Sequence, residues 1–513
     1  MTEALGVDPL AVWAVFALVA LLARRDRRLL ARLPLAGAVC VVMLALAIAA
    51  YRFWLRPGPV TWVDTAFVQF ILALGGGFVL PWLFVTCRAF VVQDLARAGL
   101  LLRREFAWLA ACVLLAGTAT GAYFAYGTAL QDRGAFDDYD RLFYSDPIRY
   151  VPIMEGTARN HEQVTHRHPL FASLGRGAFR IAATLTGDLR APGAVSSAGG
   201  GLCLALAACY FRCVCRSRAL GLLLAALLGV TAGHLMFAAI PETYTLCAAS
   251  LIGLHLLVAL RSRPAVRLRH HVFAAALATG ITLSSALVAL VCFATSGIGR
   301  RPIVSLARWA ACVMLLGCAA LALQSAVIPA AAVRVEPHEY VAELRYQAKL
   351  RAQEGPRAAT PAHVLRNLFR GLLLENVVAA TPGRTEYDGR PVIFSGGYES
   401  ALGRGAAGVW VFCLCGAGLV LAGRRPKQGR TLRAASICLL ISALIHSFFG
   451  NEHLFLFSCL FTFYVVAILA HAAAQLPRGI AIGVTLFLTL LLGCNNALFG
   501  RAVLITLEAI QVP

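Results

Sequence analysis

Apolar stretches long enough to cross a bilayer recur along the whole chain, separated by short arginine-rich or polar links. A spanning helix needs about 20 mostly apolar residues. Candidate spans are 9–23, 33–54, 65–87, 106–130, 193–211, 219–239, 243–260, 309–331, 405–423, 434–450, 454–474 and 479–500, twelve in all. A thirteenth stretch, 272–295, is interrupted by Gly280 and by Thr282, Ser284 and Ser285, and reads as one span or as two half-length helices. Of 513 residues, 59% are hydrophobic and 14% charged. Soluble domains carry about 25% charged residues, so a soluble class is excluded, and the apolar content excludes disorder. The expectation is an all-α polytopic membrane protein.

The net charge of +21 comes from 46 Lys+Arg against 25 Asp+Glu, and only Lys349 and Lys427 are lysines. In a soluble protein this balance would suggest nucleic acid. Here it follows the positive-inside rule, and no nucleic-acid partner is expected. The links 24–32, 88–105, 212–218, 261–269, 300–308, 424–433 and Arg478 hold 25 basic residues and three acidic ones, Asp26, Asp94 and Glu105. The rest of the chain holds 21 basic and 22 acidic residues. These seven links are therefore expected on the cytoplasmic side. With 261–269 and 300–308 both inside, 272–295 is expected to enter and return as a re-entrant hairpin. The first apolar run follows Glu3 and Asp8 and precedes Arg24 and Arg25, so it is no cleavable signal, and the N-terminus is expected outside.

Two long polar loops then face outward: loop A, 131–192, and loop B, 332–404. Each has an amphipathic stretch. In loop A, Leu170, Phe171, Leu174, Ala178, Ile181 and Leu185 recur at helical spacing, with Arg176 and Arg180 on another face. In loop B, Leu365, Leu368, Phe369, Leu372 and Leu373 form a stripe beside Arg366 and Arg370. Such helices lie in the interface; they serve as anchors or grip a lipid-linked phosphate.

Charged residues are nearly absent from the middles of the spans, which offer only His255 and Gln324 there. Chemistry is expected at the outer surface instead. Asp137, Asp138 and Asp140 precede Arg141, with Asp146 close behind. Crowded carboxylates raise one another's pKa and suit a general base, while the Asp138/Asp140 spacing also suits a divalent cation. A solvated acidic loop is the plainer alternative. His161, His166, Arg167 and His168 precede the loop A helix, which places His168 at an N-cap, where free amides favour anions. Glu242 and Tyr244 sit on a short outer link, as do Glu452 and His453. The 16 cysteines all lie in or beside apolar segments, and none is in a long loop, so loop disulfides are excluded. Cys213/Cys215 and Cys413/Cys415 read as buried small hydrophobes rather than ligand pairs.

An Asp-Arg element in the first large outer loop, then His168-Pro169-Leu170-Phe171, then Pro241-Glu242-Thr243-Tyr244 opening a later span, resembles the GT-C superfamily of integral-membrane glycosyltransferases over roughly 105–500. Within it the chain looks most like bacterial branches similar to the protein mannosyltransferases and the lipid A aminoarabinose transferase. The resemblance implies a polyprenyl-phosphate-linked sugar donor, an acceptor hydroxyl on a glycan, lipid or protein, and inversion at the anomeric carbon. It places the base among Asp137, Asp138 and Asp140, with Asp140 first. Arg141, Asp146, His161, His168, Glu242, Tyr244, Glu452 and His453 would bind substrate, and Arg176, Arg180, Arg366 and Arg370 would meet lipid phosphate. The resemblance fixes no cofactor, and a divalent cation on Asp138 and Asp140 stays open.

In better-known members the acidic loop follows the first span, whereas here it follows the fourth. Residues 1–104 therefore read as an N-terminal three-span addition, 105–500 as the catalytic module and 501–513 as a tail. The Ala- and Arg-rich composition suggests a GC-rich bacterium, which places the protein in the inner membrane with its site facing the periplasm. Two rival readings are a transporter or flippase of lipid-linked glycans and a non-catalytic scaffold on the same fold.

Overall fold

The computed structural model describes residues 105–158, 167–260, 268–297, 302–328, 345, 360–387, 390–423, 429–448 and 454–511. The expected spans 9–23, 33–54 and 65–87, together with His161, Glu452 and His453, lie outside the described residues. The chain divides into two units, 1–104 with 299–329 and 105–298 with 330–513.

The second unit runs α1 (Glu105–Gln131), α2 (Pro147–Glu155), α3 (Phe171–Thr186), α4 (Ala191–Cys215), α5 (Arg218–Gly229), α6 (Ala232–Phe237), α7 (Tyr244–Leu260), α8 (Leu268–Ile281) and α9 (Ser285–Ser296). The helix Pro302–Val327, α10, belongs to the first unit. After it come α11 (Pro361–Phe369), the strands β1 (Pro382–Tyr387) and β2 (Arg390–Ser395), then α12 (Ala401–Gly423), α13 (Gly429–Phe448), α14 (Ser458–Ala473) and α15 (Arg478–Gln511). Among the described residues, seven helices are long and apolar enough to cross a membrane: α1, α4, α10 and α12 to α15. The protein is an α-helical membrane protein.

The core of the second unit lies around α7 and α14. The apolar window of α14 is 78% buried, against 17% for α1, so α14 is an interior helix and α1 a peripheral one. α7 packs against α4, α8, α9, α13 and α14. Apolar side chains gain nothing by leaving lipid for one another, so close helix approach depends on small residues. In α4, three successive glycines provide it: a Cβ on Gly199 would stand 2.7 Å from Thr245 Oγ1, on Gly200 2.6 Å from Ala238, and on Gly201 2.1 Å from Thr120 Oγ1.

Charge counting placed 88–105 and 212–218 on one side, and Glu105 does pair with Arg212 (2.9 Å) and Arg218 (2.8 Å). At the opposite end of α1, Arg190 pairs with Asp132 (2.6 Å) and closes the base of loop A.

Three elements differ from the sequence expectation. The span 219–239 is broken after Val230, where the amides of Ala232 and Gly233 bond to the carbonyls of Val377 (3.2 Å) and Asn376 (2.9 Å) from loop B. Unwound backbone deep in a bundle persists only where protein satisfies it. Here Asn496 of α15 does so, donating from Nδ2 to Val230 (2.7 Å) and Val377 (2.8 Å) and accepting from Ala379 N–H (2.9 Å). The tail 501–513 is not separate, because α15 continues to Gln511 and Arg133 pairs with Glu508 at 2.6 Å. Loop B also contains a two-stranded antiparallel hairpin, with Pro382 opposite Ser395 and Tyr387 opposite Arg390.

The stretch 272–295 forms two short helices, α8 and α9, packed on each other across a turn at 282–284. That turn receives loop A. Leu170 N–H bonds to Gly280 O (2.7 Å) and Leu283 N–H to Arg167 O (3.0 Å). Glycine at 280 gives Leu170 its place, since a Cβ there would lie 2.3 Å from Leu170 Cδ1 and the leucine side chain would have to shift.

Candidate active site

The acidic element of loop A folds as a tight turn after α1. Asp140, Phe143 and Tyr144 all adopt left-handed backbone (φ 58°, 53° and 62°), a conformation that costs non-glycine residues about 1–3 kcal/mol each and persists where surroundings over-determine it. Those surroundings are β2 and the turn itself. Phe143 N–H bonds to Ile393 O (2.8 Å), Ile393 N–H to Arg141 O (3.0 Å), and Asp140 N–H to Ser145 O (3.1 Å). Loop B thus holds the shape of loop A. Arg390, at the start of β2, pairs with Asp138 (2.7 Å) and lies over the Tyr139 ring, on which Arg149 also stacks.

Pro147 opens α2, so Asp146 sits at its N-cap, yet the carboxylate makes no capping bond. One oxygen meets Arg149 at 3.4 Å, and the other, Oδ1, is buried with no hydrogen-bond partner among the described residues. The backbone N–H of Asp146 donates to Glu242 Oε1 at 2.7 Å. Glu242 is 2% exposed, its own N–H bonds to Ser196 Oγ (3.2 Å), and its Oε2 has no partner among the described residues. Two acids 96 positions apart are therefore in direct contact.

Their electrostatics follow from burial and mutual repulsion. Burial pushes Asp140 up to about 6, with the Asp146 carboxylate adding to it and Arg149 and Arg390 opposing. Burial raises Asp146 as well, against Arg149 and Arg167. Glu242 is pushed up to about 8, chiefly by burial, against the Asp146 amide, with Asp146 and Asp140 adding repulsion. At neutral pH, Asp140 is ionised and Glu242 protonated. Carboxyl groups whose values are pushed apart in this way suit separate base and donor roles.

His168 lies two residues before the N-cap of α3, which is Leu170, and so does not cap that helix. Its ring is buried. Nδ1 lies 2.8 Å from Ile281 O, and Nε2 lies 3.3 Å from the Tyr150 hydroxyl. The histidine thereby links the α8–α9 turn to α2. Tyr244 is buried within electrostatic range of Glu242, Tyr150, Asp146 and Arg167.

The structure brings Asp138, Asp140, Asp146, Glu242, Tyr244 and His168 into one neighbourhood. It does not add the remaining candidates. Asp137 is exposed. Arg141 turns back to Gly134 O (2.6 Å), and Arg176 bonds to Ile153 O (3.3 Å). Arg180 is exposed on α3 beside the exposed Ile181 and Leu185. Arg366 bonds to His363 (3.0 Å). Arg370 is held by Glu375 (Nε to Oε1, 2.9 Å) and lines a cavity of about 330 Å³ with Thr381, Phe394 and Glu399.

Of the two acids that the spacing offered to a cation, Asp138 has its Oδ1 engaged by Arg390 (2.7 Å) and by the Tyr139 amide (2.8 Å). Among the described residues, no three carboxylates here bring ligand oxygens within 4.8 Å of one another.

Sequence reasoning singled out Arg167 beside His168, but missed Arg149, Tyr150 and Arg390 as members of this neighbourhood. The Asp146-Pro147 helix start was a usable signal, since it puts Arg149 and Tyr150 one turn from Asp146. No local signal could have found Arg390, which arrives through strand pairing. Comparison with protein-family models, curated proteins and solved structures gives no match to this chain.

Proposed function

We propose that the chain is a membrane glycosyltransferase of the GT-C kind. It moves a sugar from a polyprenyl-phosphate donor to an acceptor hydroxyl, with inversion, at the periplasmic face of a bacterial inner membrane. The observation that carries this reading is the convergence of Asp140, Asp146 and Glu242, from one loop and a distant link, at a single end of the helix bundle under Arg149, Arg167 and Arg390.

In this reading Asp140 takes the proton of the acceptor hydroxyl as that oxygen attacks the anomeric carbon. The bond from that carbon to the phosphate oxygen breaks, and polyprenyl phosphate leaves with the electron pair. Arg149 and Arg167 meet the charge that develops on the phosphate. Glu242, protonated and with Oε2 unpartnered, donates to a sugar oxygen. His168 positions Arg167 by pinning the segment that carries it to the α8–α9 turn.

The first three spans complete a set of about twelve, and α8–α9 is a re-entrant hairpin. The exposed Ile181, Leu185 and Leu189 around α3 rest in lipid, with Arg180 at headgroup depth.

The test is Asp140→Asn in membrane vesicles supplied with polyprenyl-phosphate-linked sugars. Transfer is expected to fall about 10²–10⁴-fold at an unchanged protein level. Equal transfer by the variant would remove the base assignment. Donor movement across the membrane without transfer, by the unaltered chain, would replace the enzyme with a flippase.

A further inference from the structure

A second polar cluster lies inside the helix bundle, away from the acids. His255 of α7, Cys292 of α9 and Cys438 of α13 are each 0% exposed, and one ligand atom from each falls within 4.8 Å of the other two. These three residues are separated by 37 and 146 positions, so only the tertiary fold assembles them.

His255 Nδ1 stands 3.0 Å from Leu251 O, one helical turn back, so Nδ1 carries the proton and Nε2 keeps its lone pair. A backbone carbonyl fixing one ring nitrogen is the usual outer-shell arrangement of a metal-binding histidine. Cys438 is within hydrogen-bond reach of both His255 and Cys292. Cys292 Sγ lies 3.6 Å from Nδ1 and 3.8 Å from Nε2, beside the ring. A turn of its χ1 carries the sulfur by about 3 Å, enough to bring it to the Nε2 side.

Independently, the Tyr464 hydroxyl is buried with no hydrogen-bond partner among the described residues. That tyrosine lies within electrostatic range of both thiols, and its ring centroid is 5.1 Å from that of His255. The Tyr464 ring therefore borders the cluster, and its hydroxyl has no hydrogen bond among the described residues.

We propose that His255, Cys292 and Cys438 bind one zinc ion, which ties α7, α9 and α13 together. Thiolate and imidazole donors select a borderline-soft ion. Charge decides between zinc and copper. Two thiolates and a neutral imidazole cancel Zn²⁺, whereas Cu⁺ would leave a net negative charge in an aromatic, apolar surrounding. Binding is balanced by the two thiol protons, which leave to solvent as the two metal–sulfur bonds form. The site is independent of the proposed transfer reaction.

The test uses the full chain purified in detergent. Elemental analysis is expected to find about one zinc per chain, falling at least about tenfold in Cys292→Ala/Cys438→Ala, since two of three protein ligands are gone. A chelator should lower the melting temperature of the unaltered chain and leave that of the double variant unmoved. Cobalt(II) added to the stripped chain should give a thiolate charge-transfer absorption. The proposal is overturned if the folded chain neither carries zinc nor takes up cobalt, if the double variant retains the metal, or if copper is found instead.

Discussion

The buried Asn495–Asn496 pair of α15 and the pair of half-buried Asp146 with buried Glu242 at the bundle end are both polar, and each joins segments far apart in the chain. They differ in what they leave unmade. Asn496 donates twice and accepts from Ala379, and Asn495 donates to Ala379 O (3.0 Å). Asp146 Oδ1 and Glu242 Oε2 are orphaned among the described residues. An unsatisfied buried group costs about 1–3 kcal/mol, more when charged, and structure alone gives no return for it. The asparagines are therefore a structural clamp that makes the break in 219–239 tolerable. The acids keep hydrogen-bonding capacity unused among the described residues, as the proposed site requires.

That contrast can be broken in four places. Asn496→Leu strips the carbonyls of Val230 and Val377 and the amide of Ala379 of a partner. It is expected to cost about 3–5 kcal/mol and to lower the yield of folded protein, with transfer per folded molecule preserved. If stability held, the clamp reading would fail.

The pH dependence of transfer is expected to be bell-shaped. Below about 6 Asp140 is protonated and cannot serve as base; above about 8 Glu242 ionises and loses its donor proton. Each limb should fall about tenfold per pH unit. A flat profile across both limbs would separate these acids from the chemistry.

Glu242→Gln keeps the acceptor for the Asp146 amide and removes the ionisation. Since the folded protein holds Glu242 above its ordinary value, the stability of the unaltered chain is greatest below that ordinary value and declines as pH rises through about 8. The variant should therefore melt about 2–4 °C higher at alkaline pH and at much the same temperature in acid. Scanning fluorimetry at the two pH values reads the difference.

The smallest effect belongs to Arg390→Ala. Its exposed pair with Asp138 is worth under about 1 kcal/mol, so the melting temperature should barely move. Arg390 also lowers Asp140, however, so its loss should shift the acid limb of the profile toward higher pH.

The hairpin of α8 and α9 was foreshadowed by Gly280 and the hydroxyl run, because a polar, glycine-bearing break inside an apolar stretch ends a helix in any context. Asp140, Asp146 and Glu242 stood out for a similar reason, as acids beside apolar helices. The register of β2 against loop A, which brings Arg390, was not legible, since pairing is set by surfaces that meet after folding. The cluster of His255, Cys292 and Cys438 was hidden in the same way. Each alone is an apolar-helix residue, and Cys292 or Cys438 by itself reads as a small hydrophobe.

Apolar run length was enough to settle that this is a helical membrane protein, because the cost of placing side chains in hydrocarbon is set largely by composition. Which buried polar groups would find partners was decided only by the tertiary structure. Hydrogen bonds act over about 3 Å, and no spacing along the chain says that Asn496 will reach Val377 or that the Glu242 carboxylate will meet the amide of Asp146.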